Sequence, residues 1–147
     1  MFFNGDVVIT DPCYVFKNEH WSAICKEELP DGSLLLRPFL KKNFICKPTI
    51  YGDWSCTVWD KEDKEKEYGE FTADAGMVGV MLLDDILQYD KAFKVKPDFN
   101  EWIKEHPFCV TVLKDFYGDI EYKVTEDDKY AYLESNGNIN FITSQQI

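Results

Sequence analysis

The chain has 147 residues, enough for one domain with a sizeable core, and its 45% apolar and 16% aromatic content argues against a disordered segment. A formal charge of −11 and a single arginine, Arg37, exclude capture of nucleic acid by the overall field and remove the bidentate phosphate fork. An acidic surface of this kind serves solubility or suits a basic partner.

Five cysteines (Cys13, Cys25, Cys46, Cys56 and Cys109) form an odd set with no Cys-x-x-Cys spacing. That usage fits a reduced compartment, with most thiols acting as small apolar residues. The first residues lack a basic region followed by an apolar core, and no apolar run approaches the roughly 18 residues of a membrane span. The expectation is a single domain over residues 1–147, cytoplasmic, touching neither membrane nor nucleic acid directly.

In chain order, Asp6 to Thr10 reads as a strand, and its near-continuous Val7-Val8-Ile9 predicts burial on both faces. Pro12 stops it. Asn18 to Glu28 has Trp21, Ile24 and Cys25 on one side and reads as a short helix, followed by the turn signal Leu29-Pro30-Asp31-Gly32. Ser33 to Leu36 is ambiguous between strand and helix. Pro48 to Tyr51 and Ser55 to Trp59 read as strands on either side of Gly52-Asp53. The alternating charges of Asp60 to Glu67 then predict a solvated hairpin tip leading into Tyr68 to Ala73.

Met77 to Leu82 is apolar on both alternating faces, as a central buried strand requires. Leu83 to Lys91 places Leu83, Ile86 and Leu87 at helical spacing. A second helix is predicted from an Asp98 N-cap, burying Phe99, Trp102 and Ile103 and ending before Pro107. Beyond it a β-meander is expected. Phe108 to Phe116 would pair with Ile120 to Thr125 across Tyr117-Gly118-Asp119. Tyr130 to Glu134 would pair with Asn138 to Thr143 across a type I′ Asn136-Gly137 turn. The predicted class is α+β, a mostly antiparallel sheet (sandwich- or barrel-like) with two or three short helices.

Three turns each place an aspartate where a strand gives way, a common address for binding groups. They are Thr10-Asp11-Pro12-Cys13-Tyr14, Tyr51-Gly52-Asp53-Trp54 and Ala73-Asp74-Ala75-Gly76. If the strands are neighbours, Asp11, Asp53 and Asp74 line one mouth, with Cys13, Tyr14, Tyr51 and Trp54 as its other candidate residues. Carboxylates beside aromatic planes can hold a base, a sugar or a cationic group. The plain alternative is that Asp11 and Asp53 accept hydrogen bonds from turn amides and that Trp54 and Tyr14 plug the end of the sheet.

The three acids match no metal-ligand spacing, and no cofactor is read. A Cys13–His20 nucleophilic pair lacks a hydrolase context, and Asp11 nearby would raise the thiol pKa. Gly76 and Gly79 form no phosphate loop and no dinucleotide fingerprint; they predict a bulge or a close backbone approach.

These motifs, with Gly69-Glu70-Phe71-Thr72-Ala73-Asp74-Ala75-Gly76-Met77-Val78-Gly79-Val80 and Asn136-Gly137-Asn138-Ile139-Asn140-Phe141, resemble a loose family of small bacterial and bacteriophage proteins. That family carries Asp-Pro-Cys-Tyr, Gly-Asp-Trp and Asp-Ala/Ser-Gly elements and has no established activity to carry over. The resemblance implies a bacteriophage or mobile-element setting. The functional expectation is a non-catalytic protein that holds a small, nucleotide-like ligand or inhibits a host protein. The alternative is an Asp-dependent hydrolase, for instance a phosphodiesterase, with Asp11, Asp53 or Asp74 as general base or metal ligand. A third reading is a homo-oligomeric assembly component.

Overall fold

A computed structural model describes residues 1–16, 42–49, 54–74, 76–93 and 99–145. Among these residues, eight strands make one antiparallel sheet: β1 (Phe2–Thr10), β2 (Phe44–Pro48), β3 (Trp54–Asp60), β4 (Glu67–Ala73), β5 (Met77–Leu82), β6 (Val110–Val124), β7 (Ala131–Gly137) and β8 (Phe141–Gln145). Their order is β2-β5-β1-β6-β7-β8-β3-β4, so the sheet is open, with β2 and β4 at its edges. It also curls. Thr111 Oγ1 in β6 donates to the Glu70 carbonyl of β4 at 2.7 Å, and Tyr122 Oη reaches the Pro48 carbonyl at the end of β2 at 2.7 Å.

Two helices, α1 (Leu83–Phe93) and α2 (Phe99–Glu105), and a 3-10 turn at Pro12–Tyr14 complete the described structure. Among the described residues the antiparallel sheet dominates as expected, so the α+β class is corrected there to mostly β. The predicted segments 18–28 and 33–36, and the Asp98 cap, lie outside the described residues.

The core divides according to the faces of β1. Val7 and Ile9 point to a cluster with Phe3, Val58, Phe71, Val80, Phe116, Ile120, Leu133 and Phe141. Val8 points the other way, to Val15, Phe16, Met81, Ile86 and Phe99 beneath the helices. This double burial is the one that the apolar run predicted, and β5, lying between β2 and β1, shares it. Helix α1 follows β5 directly, carries Asp84 and Asp85 in its first turn, where they favour the helix dipole, and buries Leu83 and Ile86.

Two hairpin expectations are corrected. Tyr117-Gly118-Asp119 is no turn, because β6 runs unbroken from Val110 to Val124, pairing first with β1 and then with β7. Gly118 is needed there for room: it faces Gly137 across the ladder, where an added Cβ would stand 2.4 Å from the Gly137 Cα. Gly137 accordingly belongs to β7 and has no positive φ, so the type I′ Asn-Gly turn does not form. The chain reverses over residues 138–140 instead. Ser135 Oγ donates to the Ile139 carbonyl at 2.6 Å and accepts the Phe141 amide at 2.8 Å.

Of the predicted strand at Pro48 to Tyr51, Pro48 closes β2 (Phe44–Pro48), Thr49 lies outside it, and residues 50–51 lie outside the described residues. The charged tip is where it was expected. Residues 61–66 join β3 to β4, and Asp60 Oδ1 accepts the amides of Glu62 and Asp63.

Within β6 a bulge decides which side chains enter the core. Asp115 has φ 52°, and the β1–β6 register shifts between Gly5 and Val7. The extra residue changes the parity, so Leu113 before it and Phe116, Ile120 and Tyr122 after it share one face. Asp6 holds the bulge, accepting the Asp115 amide at 3.0 Å and lying 3.4 Å from Lys114 Nζ.

Candidate functional site

Asp11 is fully buried. Its Oδ1 accepts the Cys13 amide at 3.0 Å, the Asx-type cap of the 3-10 turn, and its Oδ2 accepts the Met77 amide at 3.2 Å. Both oxygens thus serve backbone donors, and the carboxylate fastens the turn to the first residue of β5. Pro12 rests on Gly79, where an added Cβ would lie 2.6 Å from Pro12 Cγ, so the glycine provides the close approach that the sequence predicted.

The flanks of the second motif gather on the third. Thr49 donates through its amide and its hydroxyl to the Gly76 carbonyl, at 3.0 and 3.2 Å. Trp54 pairs with Ala73 in the β3–β4 ladder, next to Asp74. Tyr51 and Asp53 themselves lie outside the described residues. Trp54 is half-buried and packs against the larger core cluster, at the rim of the sheet.

Cys13 and Tyr14 follow the sealed Asp11 and are half-exposed. The start of β6 lies beside them, because Thr10 pairs with Val110 and Thr10 Oγ1 donates to the Cys109 carbonyl at 2.9 Å. Burial, and then the neighbouring Cys109, Asp74 and Cys13 side chains, push the Tyr14 hydroxyl above the ordinary tyrosine range. The phenol is therefore a neutral hydrogen-bonding group. Asp74 is exposed at the same corner.

An aromatic column backs the corner. The Tyr14 ring lies 5.0 Å from Trp102, and Trp102 stacks on His106 at 4.5 Å and on Phe99 at 5.6 Å. His106 Nδ1 is 2.9 Å from the Trp102 carbonyl. A carbonyl only accepts, so Nδ1 is the donor of this bond. Phe108, 70% exposed, extends the apolar surface, and its carbonyl accepts Thr72 Oγ1 at 3.0 Å.

The structure thus joins the first and third motifs around Tyr14, with Asp11 beneath as a structural carboxylate and Asp74 at the surface. It adds Trp102, His106 and Cys109, of which the sequence marked Trp102 only as helix core and Cys109 only as an apolar thiol. No local signal could have found them, because the β1–β6 pairing brings them in across about a hundred residues. Among the described residues, no three His, Cys, Asp or Glu side chains gather as a metal site. No protein-family model, no curated protein and no solved structure matches the chain. No described helix is long and apolar enough to cross a membrane.

Proposed function

We propose that the chain is a non-catalytic binding protein that holds a small, flat, hydrogen-bond-donating ligand of the nucleobase class at the Tyr14 corner. The observation that carries this reading is the half-exposed Tyr14 ring on an aromatic column of Trp102 and His106, with Asp74 exposed at the same corner. Rings supply a stacking surface, while the Asp74 side-chain oxygens accept hydrogen bonds. A cytoplasmic role in a bacteriophage or mobile-element setting belongs to the same proposal.

The exposed Phe108 ring beside the corner and the charge of −11 favour a second form, in which a basic host protein docks there and is inhibited. The hydrolase reading gains less support, since Asp11 spends both oxygens on backbone amides.

Calorimetric titration with a panel of nucleobases and nucleosides tests the proposal. Tyr14→Phe and Asp74→Asn are each expected to weaken the bound compound roughly tenfold, about 1.4 kcal/mol, without unfolding the protein. Unchanged affinity in both variants overturns it. Metal-dependent turnover of phosphodiesters, abolished by Asp74→Asn, would replace it with the hydrolase.

A further inference from the structure

Asn136-Gly137 reads as a turn in sequence but is strand in the structure, and the difference governs its covalent chemistry. Asparagine before glycine is prone to lose its side-chain amide spontaneously, because glycine has no Cβ to crowd the reaction. The glycine nitrogen attacks the asparagine Cγ, a new C–N bond closes a succinimide, and ammonia leaves. Water then opens the ring at either carbonyl, giving aspartate or isoaspartate. No other co-reactant is needed. Two asparagines of the chain precede glycine, Asn4 and Asn136.

Ring closure requires the Asn136 Cα–C bond to rotate until the Gly137 nitrogen eclipses Cβ. An extended strand holds ψ at about +135°, far from that arrangement. The β6–β7 ladder keeps it there. Asn136 pairs with Asp119 and Gly137 with Gly118, and the Asn138 amide donates to the Tyr117 carbonyl at 3.2 Å. A Cβ added to Gly118 would stand 2.4 Å from the Gly137 Cα and 2.8 Å from the Asn136 carbonyl oxygen. The two backbones are thus in contact, and the peptide between Asn136 and Gly137 cannot turn while the ladder is shut. Just beyond it, Asn138 ties the chain to β6: its Oδ1 accepts the Tyr117 amide at 2.9 Å and its Nδ2 donates to the Asp115 carbonyl at 2.8 Å. The Asn136 side chain itself is exposed, so water reaches it and the protection is conformational.

Asn4-Gly5 lacks this lock. Gly5 lies where the β1–β6 register breaks and has φ 134°, and an added Cβ would meet nothing nearer than Leu82 Cδ2 at 3.6 Å.

We propose that Asn136 is a deamidation site that the β6–β7 ladder keeps closed, so that its conversion marks chains whose ladder has opened. The mark is one-way. Isoaspartate routes the main chain through the side-chain carbons and lengthens β7 by one methylene, about 1.5 Å. Gly137 then misses Gly118, and a new carboxylate joins Asp119 on its rung.

The whole protein is aged in mildly alkaline 18O-labelled water, native or in guanidinium chloride, then digested and read by mass spectrometry. In denaturant, Asn4 and Asn136 should convert at similar rates, ahead of Asn138 and Asn140, where Ile139 and Phe141 crowd the attack. In the native protein Asn136 should convert roughly tenfold or more slowly than in denaturant, and Asn4 should convert before it. Chains aged in denaturant and then refolded give a second measurement. Isoaspartate and aspartate at position 136 carry the same charge, so their partition reports the backbone alone. Isoaspartate should be enriched roughly fivefold in the fraction that fails to refold. Conversion of native Asn136 at its denatured rate, or ahead of Asn4, overturns the proposal. So does equal partition of the two products between the refolded and unfolded fractions.

Discussion

Asp11 Oδ2 accepts the backbone N–H of Met77 at 3.2 Å across 66 residues of sequence. The bond joins the turn after β1 to the first residue of β5, two neighbouring strands that run antiparallel. Removing it with Asp11→Ala also removes the Cys13 cap and leaves two part-buried amides without their acceptor. A loss of about 2–4 kcal/mol is expected, from a buried carboxylate bond and a cap together. Asp11→Asn keeps an acceptor on one side only and should cost about half of that. Urea denaturation followed by tryptophan fluorescence checks both, and a loss under about 0.5 kcal/mol for Asp11→Ala would show that the carboxylate is not holding the two strands.

Gly79 governs the same turn from below. A Cβ placed there meets Pro12 Cγ at 2.6 Å and the Thr10 carbonyl at 3.0 Å, and both neighbours are stiff. Gly79→Ala is therefore expected to destabilise by about 1–3 kcal/mol, as overpacking does, and to displace the Asp11–Tyr14 turn. Amide shifts at Cys13 and Tyr14 that move together with the denaturation midpoint would bear this out; a shifted midpoint with unmoved turn signals would not.

Local pattern was a sound guide wherever local pattern decides structure. Val7-Val8-Ile9 and Met77 to Leu82 are apolar on both faces because each lies inside the sheet under helices, and the charged run after Asp60 is a hairpin tip. Where a long-range contact decides, the same signals misled. Gly118 and Gly137 look like two turns in sequence, yet each is small because the other faces it across β6 and β7. Asp115 carries no bulge signature, and the bulge shows only in its partner, Asp6. The site followed the same division: Asp11, Cys13, Tyr14 and Asp74 stood out as turn residues, whereas Trp102, His106 and Cys109 reach the corner only through tertiary pairing.

Asp6 makes the bulge pH-sensitive. The Asp115 amide, and then the Lys114 ammonium, hold its carboxyl below the ordinary value of 3.8 against an opposing effect of burial. A depressed folded-state value means that the carboxylate contributes stability above the unfolded value and loses it as pH falls through the folded one. Stability should therefore decline as pH drops below 3.8, with Asp60, Asp127 and Glu134, also held low by hydrogen bonds, adding to the decline. Asp6→Asn should be less stable than the parent at neutral pH, and the gap should close in strong acid. A gap that stays constant across the acid range would show that the Asp6 charge is not what holds Asp115.

Cysteine reactivity separates the thiols by burial. Cys56, on β3 opposite Phe71 of β4, is buried in the core, and burial pushes its thiol up to about 12. At about pH 8 such a group is thiolate in roughly one part in ten thousand, so alkylation is slow as well as sterically blocked. Cys13, Cys46 and Cys109 are half-exposed. Limited treatment of the native protein with iodoacetamide, followed by peptide mass spectrometry, should modify these three well before Cys56, and Cys56 should react only once urea unfolds the sheet. The raised value also sets a sign at the alkaline end: the fold favours the neutral thiol, so this contribution is present below the ordinary 9.0 and declines as pH rises past it. If Cys56 reacts as fast as Cys13 under native conditions, β3 is opening on the timescale of labelling, and the two buried faces of the sheet do not protect it as the packing of Val58, Phe71 and Phe141 requires.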